Sequence, residues 1–510
     1  MSEDRQSSGR NRWLYSLGAG HFLMHVLTSA RYGVFRDELY YLACARRLDW
    51  GYVDHPPLSI AMLAINRWIG GESILALRMV PALCGAATVI LTGLIARELG
   101  GGKLAQCLSA LAVALGPIYL IMFDFFSLNA FELLIWSALS LVLIRMLKNR
   151  EPRLWLCVGA LLGAGLLNKH TTAILGPALL VGLFLTPERR HLRGKWIWLG
   201  AFVAFLFILP NLIWQQVHGW PSLEFYRNAV LEKNIDTGPG MALFMQFFVL
   251  GPAAFPLVLA GVYFYLFAER GRSYRSLGWA YLVLLGLFLL SRSSRPDRLA
   301  GIYPLILAAG AVVIERASER AAWRWVRVAL PSLVLVLGLA LAPISTTLLP
   351  PEVTTRYMGL FGRLLQIERG KSASLPQWLA DRMGWEELAV TVGKIVSALP
   401  EEDRRRAVLY GDNYGEAGAM EYYAVRYNLP PVISTHNSYH LWGFQQKEVD
   451  VLIAVGADPE DLRRLFESVE RVGATRCEYC MDYENGVPIY LAKGPKVTIQ
   501  DFWEQFKDYE

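Results

Sequence analysis

The stretch FRDELYYLACARRLDWGYVDHPPLSI, Phe35 to Ile60, decides how the rest of the chain is read. Four acidic residues, two prolines, a histidine and a run of aromatics crowd together between segments that are nearly pure hydrocarbon. Charge is costly beside a membrane, so a concentration of it marks a loop with work to do at the surface.

Outward from this loop the chain is too apolar for an ordinary soluble enzyme. Of its 510 residues 54% are hydrophobic and 18% charged, with 16 tryptophans, and the mean hydropathy is positive. That composition predicts an integral membrane protein with room for one further domain. Apolar runs near 13–30, 74–96, 104–122, 128–147, 154–167, 171–186, 196–214, 242–267, 277–291, 299–315 and 327–346 give about 11 transmembrane helices. The formal charge of +6 does not point to nucleic acid, because the basic residues sit in short connections between apolar spans, where they set orientation.

Those connections alternate. Lys/Arg clusters occupy the N-terminus, Arg97 with Lys103, Arg145 to Arg153, Glu188 to Lys195, Glu269 to Arg275 and Glu315 to Arg327. By the positive-inside rule these face the cytoplasm, and an odd number of spans sends residues 347–510 outside. The first span has no small-residue cleavage site and reads as a retained helix. Residues 1–346 then form the membrane domain, with a first outer loop at 31–73, and residues 347–510 an extracytoplasmic α/β domain. In the latter, AVLYGD (Ala407–Asp412), VDVLIAVG (Val449–Gly456) and VPIYLAKG (Val487–Gly494) read as strands, with DPEDLRRLFESVERV as a helix between the last two. Cys477 and Cys480 form a lone CxxC, read as a local disulfide or two free thiols because no second pair stands at zinc spacing. Cys44, Cys84, Cys107 and Cys157 read as packing residues.

The ionisable groups outside the cytoplasmic loops fall into one set: Asp37, Glu38, Asp49, Asp54 and His55 in the first loop, Asp124 after the third span, Lys169 and His170 at a later turn, and Arg292, Arg295, Asp297 and Arg298 in SRSSRPDRLAGIYP. Arg46, Arg47 and Arg67 are expected to snorkel to the headgroups. Asp37 and Asp124 are the carboxylates suited to accept a proton from a hydroxyl or amine. Lys169, Arg295 and Arg298 suit phosphate oxygens, arginine by its bidentate fork and lysine as a point charge. Tyr40, Tyr41, Trp50 and Tyr52 suit stacking on a sugar or an isoprenoid, and Pro56 and Pro57 stiffen the loop. A carboxylate beside a phosphate-binding patch at the membrane surface fits transfer from a lipid-phosphate donor.

With RDELYYLACARRLDWGYVDHPPL, the Asp after the third span, GLLNKHTTAILGPALL and GIYPLILAAGA in hand, the chain resembles the bacterial glycosyltransferase family 39 proteins, relatives of the dolichyl-phosphate-mannose protein mannosyltransferases and of the lipid A aminoarabinose transferases. The resemblance implies a GT-C fold, a polyprenyl-phosphate sugar donor, and inverting single displacement on the outer face of a bacterial inner membrane. It implies Asp37 as catalytic base or acceptor positioner, Glu38 as its neighbour and Asp124 as the second acidic position. Asp54 and His55 stand where the aminoarabinose transferases have Glu-Lys before proline. That position implies substrate binding for Asp54 and a donor-phosphate role for His55, whose missing charge Lys169 supplies; Tyr40, Tyr41, Tyr52 and His170 complete the substrate-binding set. The acceptor is a lipid, a glycan or a protein. No cofactor is demanded, although a divalent ion between Asp37, Asp124 and the donor phosphate stays open. A transporter or flippase of a lipid-linked or anionic substrate is the alternative reading; it predicts inverted repeats, which the chain does not display.

Overall fold

The computed structural model describes residues 12–233, 237–291, 295–359, 373–444, 449–498, 500 and 503–510. Backbone contacts divide the chain into two units, Met1–Ser29 with Leu75–Ile213 and Ile235–Leu348, and Ala30–Ile74 with Trp214–Asn234 and Leu349–Glu510.

The first unit is helical. Among the described residues of the chain, five helices are long and apolar enough to cross a membrane: Ile74–Glu98, Leu128–Asn149, Lys195–Val217, Glu269–Leu290 and Ala321–Ser345. Two bent pairs raise the count to seven if each is one span. One of these, Pro239–Leu250 with Pro252–Leu266, turns by 99° inside what the hydropathy pattern presents as a single run from 242 to 267. Gly251 takes φ +85° there and Pro252 has no N–H to continue the ladder, so the helix breaks although the apolar pattern does not. Shorter apolar helices, among them Lys103–Leu115 and Pro152–Asn168, complete a multi-pass bundle.

Small residues let these helices close up. A Cβ on Gly310 would lie 1.8 Å from the carbonyl oxygen of Leu257, and one on Gly261 would lie 2.1 Å from that of Ile306. The helices Phe255–Leu266 and Tyr303–Ala317 therefore pack backbone against backbone, reciprocally, as helices do where lipid offers no hydrophobic drive for association. The helix Lys103–Leu115 is capped from afar: the Glu315 carboxylate accepts the N–H groups of Leu104 at 2.9 Å and Ala105 at 3.3 Å, satisfying donors that its own first turn leaves open.

The second unit carries a five-stranded sheet in the order β2-β1-β3-β5-β4, formed by β1 (Ala407–Gly411), β2 (Val432–Ile433), β3 (Val451–Val455), β4 (Phe466–Ala474) and β5 (Pro488–Pro495). The first three strands pair in parallel, and β5 runs antiparallel to both β3 and β4. Val408, Ile433, Leu452, Ala454, Leu462 and Phe466 form its core. Three strands agree with the sequence reading. The expected helix from Asp458 onward does not: it ends at Leu465, and Phe466–Ala474 is the edge strand β4. Pairing with β5 overrides the local helical pattern, and Val469 and Val472 suit a strand.

Candidate active site

In the second unit the first loop is organised by the helix Arg36–Arg46. Glu38 turns back so that its Oε2 accepts the N–H of Phe35 at 2.8 Å, and it is fully buried. It closes the first helical turn, as a glutamate at the third helical position does. Asp37, its neighbour, is only half-buried, and its Oδ1 accepts a hydrogen bond from the Tyr414 hydroxyl at 2.9 Å.

Tyr414 reaches it because the helix Tyr414–Tyr427 presents glycine to the loop helix. A Cβ on Gly418 would stand 3.0 Å from Leu39 Cβ, and one on Gly415 would stand 2.8 Å from Arg36 Cγ. Asn413 starts this helix, its side chain accepting the N–H groups of Gly415 and Glu416. Arg36 is drawn away from Asp37; its guanidinium lies 4.5 Å from the centre of the Tyr414 ring and donates to the Tyr483 hydroxyl at 3.1 Å.

Three tyrosines of the loop pack into its core. Tyr40, Tyr41 and Tyr52 are all buried. The Tyr40 hydroxyl donates to Asp54 Oδ1 at 2.9 Å and lies 2.7 Å from Ser438 Oγ. Burial, with the charge on Asp54 adding, pushes that phenol well up, so it stays a donor. The Tyr52 hydroxyl lies 3.2 Å from the carbonyls of Cys44 and Arg47. His55 is fully buried between Tyr41 and Tyr52, with ring centres at 5.2 and 4.8 Å, and its Nδ1 lies 3.0 Å from the Pro56 carbonyl. Its Nε2 lies 3.7 Å from Asp54 Oδ1. Of the loop's large aromatics Trp50 and Trp68 are well exposed, at 59% and 88%. The arginines expected to snorkel are instead paired: Arg46 and Arg67 on Glu72 at 2.6 and 2.8 Å, and Arg47 on Glu421 at 2.9 Å. Burial would raise the Glu72 carboxyl, but Arg46 and then Arg67 hold it below its usual range.

In the first unit Asp124 follows the short helix Pro117–Met122 and is buried. Its Oδ1 lies 3.1 Å from Nδ1 of His25, on the helix Arg12–Thr28. The ring of His21 stands edge-on to that of His25 at 4.6 Å, and its Nδ1 lies 3.0 Å from the Ala114 carbonyl. Lys169 follows the helix Trp155–Asn168. Its Nζ donates to Asn129 Oδ1 at 2.7 Å and to Glu132 Oε2 at 2.9 Å. Asn129 and Glu132, three apart, share one face of the helix Leu128–Asn149. Lys169 therefore enters any phosphate chemistry with its charge already offset, and Thr171 Oγ1 donates to the other oxygen of Glu132 at 3.1 Å. His170 Nε2 lies 3.0 Å from Asn211 Oδ1.

Arg295 and Arg298 are half-buried around the turn Pro296–Leu299; Arg292 lies outside the described residues. Gln246 fastens that turn, donating to the Pro296 carbonyl at 3.2 Å and accepting from the Tyr303 hydroxyl at 2.9 Å. Among the described residues no three His, Cys, Asp or Glu side chains group as metal ligands.

Sequence reasoning missed Tyr414, Ser438, His25 and Glu132. His25 left a signal, an ionisable residue in an apolar helix. Tyr414 and Ser438 left none, since each meets its partner across nearly 400 residues.

A family described as dolichyl-phosphate-mannose-protein mannosyltransferase matches residues 54–214. Over 181 residues the chain is 26% identical to an undecaprenyl phosphate-alpha-4-amino-4-deoxy-L-arabinose arabinosyl transferase of Pseudomonas fluorescens, covering 34% of this chain and 31% of that protein. Over 314 residues it is 25% identical to the lipopolysaccharide core galacturonosyltransferase RgtB of Rhizobium johnstonii, covering 59% and 61%. The chain thus spans about a third and about three-fifths of these relatives. The crystal structure of ArnT from Cupriavidus metallidurans bound to undecaprenyl phosphate shares the fold, with a TM-score of 0.60 at 15% identity over 94% of this chain and 98% of that one. Family match, relatives and fold point the same way: over part of its length the chain is similar to these glycosyltransferases, and it shares the fold of ArnT.

Proposed function

We propose that this protein is a multi-pass membrane glycosyltransferase that moves a sugar from a polyprenyl-phosphate donor to an envelope acceptor. The observation that carries the reading is the half-buried carboxylate of Asp37, held by the Tyr414 hydroxyl in the first turn of the loop helix. Such a carboxylate can take the proton from an acceptor hydroxyl or amine as that atom attacks the anomeric carbon. The lipid phosphate then leaves as an anion and needs no proton, so a base suffices and the displacement inverts the anomeric centre. Arg295, Arg298 and Lys169 stabilise the charge that develops on the leaving phosphate. His25 fixes the orientation of Asp124, the second acidic residue of the mechanism.

The finer features belong to the same proposal. They are eleven spans, an N-terminus in the cytoplasm of a bacterial cell, and an extracytoplasmic domain from residue 347 that takes part in choosing the acceptor, whether lipid, glycan or protein. The relatives reported above are named as transferases, which gives the transport alternative no support.

The test is to reconstitute the purified protein with undecaprenyl-phosphate-linked aminoarabinose and, separately, galacturonate, together with an envelope lipid extract, and to follow release of undecaprenyl phosphate by mass spectrometry. Release coupled to a mass gain on an acceptor is expected. Movement of intact donor across the bilayer, with no release, overturns the proposal.

A further inference from the structure

The sheet of the second unit carries a cavity of its own, of about 440 Å³, within the range of about 300–1,000 Å³ typical of small-molecule sites. Its position follows from topology. The connection leaving β1 runs to β2 on one side, while β3 lies on the other, so a crevice opens beyond the carboxyl ends of β1 and β3 where the strand order reverses. In open α/β sheets that is where ligands bind. Asp412 directly follows β1, and Gly456 and Asp458 follow β3; all three line the cavity. Gly456 takes φ +77°, and a Cβ there would lie 2.9 Å from Asp412 Cβ, so the glycine keeps the mouth clear.

The lining has two characters. Leu462 and Phe466 give it a buried apolar floor, and Trp503 a flat aromatic wall. That wall is pre-set: the indole N–H donates to the His440 carbonyl at 3.0 Å, and the His440 ring stacks on it at 5.6 Å with 8° between planes. The polar side is acidic, with Asp412, Asp458 and Asp461 and no lysine or arginine among the lining residues. Asp458 is engaged in capping, accepting the Glu460 N–H at 2.7 Å, and Asp461 pairs with Arg464 at 3.0 Å. Among the described residues Asp412 has no ion pair. Burial, with Asp458 adding and a hydrogen bond from Tyr410 opposing, pushes its carboxyl up to about 6.

We propose that this cavity is a saccharide-binding site, separate from the transfer chemistry, that takes a neutral or amine-bearing sugar ring with its C–H face on Trp503 and its hydroxyl or ammonium hydrogens on Asp412. A flat aromatic beside a carboxylate matches the two faces of a sugar, one apolar and one rich in donors. The acidic lining repels phosphates and uronic acids. This goes beyond the transferase reading, since binding here needs neither a lipid donor nor turnover.

The experiment is saturation-transfer NMR on the full-length protein in lipid nanodiscs, free of sugar-based detergent, with glucosamine, glucose, glucuronate and inorganic phosphate as probes. Glucosamine and glucose are expected to bind, and glucuronate and phosphate at least tenfold more weakly. Asp412→Asn should weaken glucosamine about tenfold, in line with loss of a hydrogen bond to a charged group. Leu465→Trp, which fills the cavity, should abolish binding in protein that keeps the wild-type melting temperature. No sugar binding at tens of millimolar overturns the site, as does a preference for glucuronate or phosphate. Binding that neither variant changes also overturns it. Because no donor is present, failure here leaves the transferase reading standing, and failure of transfer leaves this site standing.

Discussion

The Tyr414 hydroxyl donates to the Asp37 carboxylate at 2.9 Å from 377 residues further along the chain. A hydroxyl that donates to a carboxylate aims it, while the carboxylate itself takes the proton. The two residues should therefore separate under mutation. Asp37→Asn, which keeps the shape and removes the base, should lower turnover on the order of 10²-fold to 10⁴-fold with donor binding kept. Tyr414→Phe should cost only about threefold to tenfold. Single-turnover assays with a defined donor and acceptor decide; near-normal turnover by Asp37→Asn removes it from the mechanism.

The pairing of Lys169 with Glu132 makes a prediction with opposite signs. Lys169→Ala should weaken undecaprenyl phosphate binding by about 1.5–3 kcal/mol. Glu132→Gln, which unmasks the ammonium, should strengthen it. Calorimetric titration in nanodiscs measures both, and a Glu132→Gln protein that binds more weakly would show that Glu132 orients Lys169 more than it offsets its charge.

The two thiols of the CxxC stand free, and the Cys480 N–H reaches Cys477 Sγ at 3.2 Å. Hydrogen bonding from Cys480 draws the Cys477 thiol below its ordinary range, while the same contact, with burial, pushes Cys480 well up. At neutral pH more of Cys477 is thiolate, and iodoacetamide should modify it first, by peptide mass spectrometry on reduced protein. Cys480→Ala should slow Cys477 by removing the Cys480 thiol donor while the backbone N–H stays. Faster labelling of Cys480 contradicts the assignment.

How much of this was legible before the fold was known divides by range. The membrane class, the polar loop and three of the five strands could be read because each is written in neighbouring residues. The burial of Tyr40, Tyr41, Tyr52 and His55 was not legible, because an amphipathic aromatic looks the same in sequence whether it packs on a ligand or on its neighbours. Glu38 did carry its capping position in the sequence, but a carboxylate beside Asp37 invites a catalytic reading first. Pro252 and the strand β4 show the other failure: hydropathy fixes that a segment is buried without fixing its direction, and an edge strand is decided by its partner.

Topology can be tested at a position the structure recommends. Val425 is 98% exposed, whereas Gly415 has no room for a side chain. In a cysteine-free background a membrane-impermeant maleimide applied from outside should label Val425→Cys and spare Arg190→Cys. The reverse pattern overturns the proposed orientation.

Glycine contacts in the bundle supply a stability test. Gly310→Val drives a side chain into the Leu257 carbonyl and should lower the melting temperature by several degrees or prevent folding. Gly286, with nothing within 4 Å of its added Cβ, should accept alanine without loss. Thermal denaturation in one lipid composition compares them, and equal tolerance would mean the helices can shift apart at little cost.

The reach from Asp37 to Tyr414 also sets a schedule for biogenesis. A ribosome adds about 5–20 residues per second, so the loop that holds the proposed base emerges roughly 20–75 s before the helix that steadies it. Throughout that interval the nascent enzyme has its first loop made and its aromatic cluster without Ser438 or Tyr414 to close on. A chain stopped between Leu348 and Tyr414 would keep the apolar helices up to Ser345 and lack the hydroxyl that Asp37 accepts from.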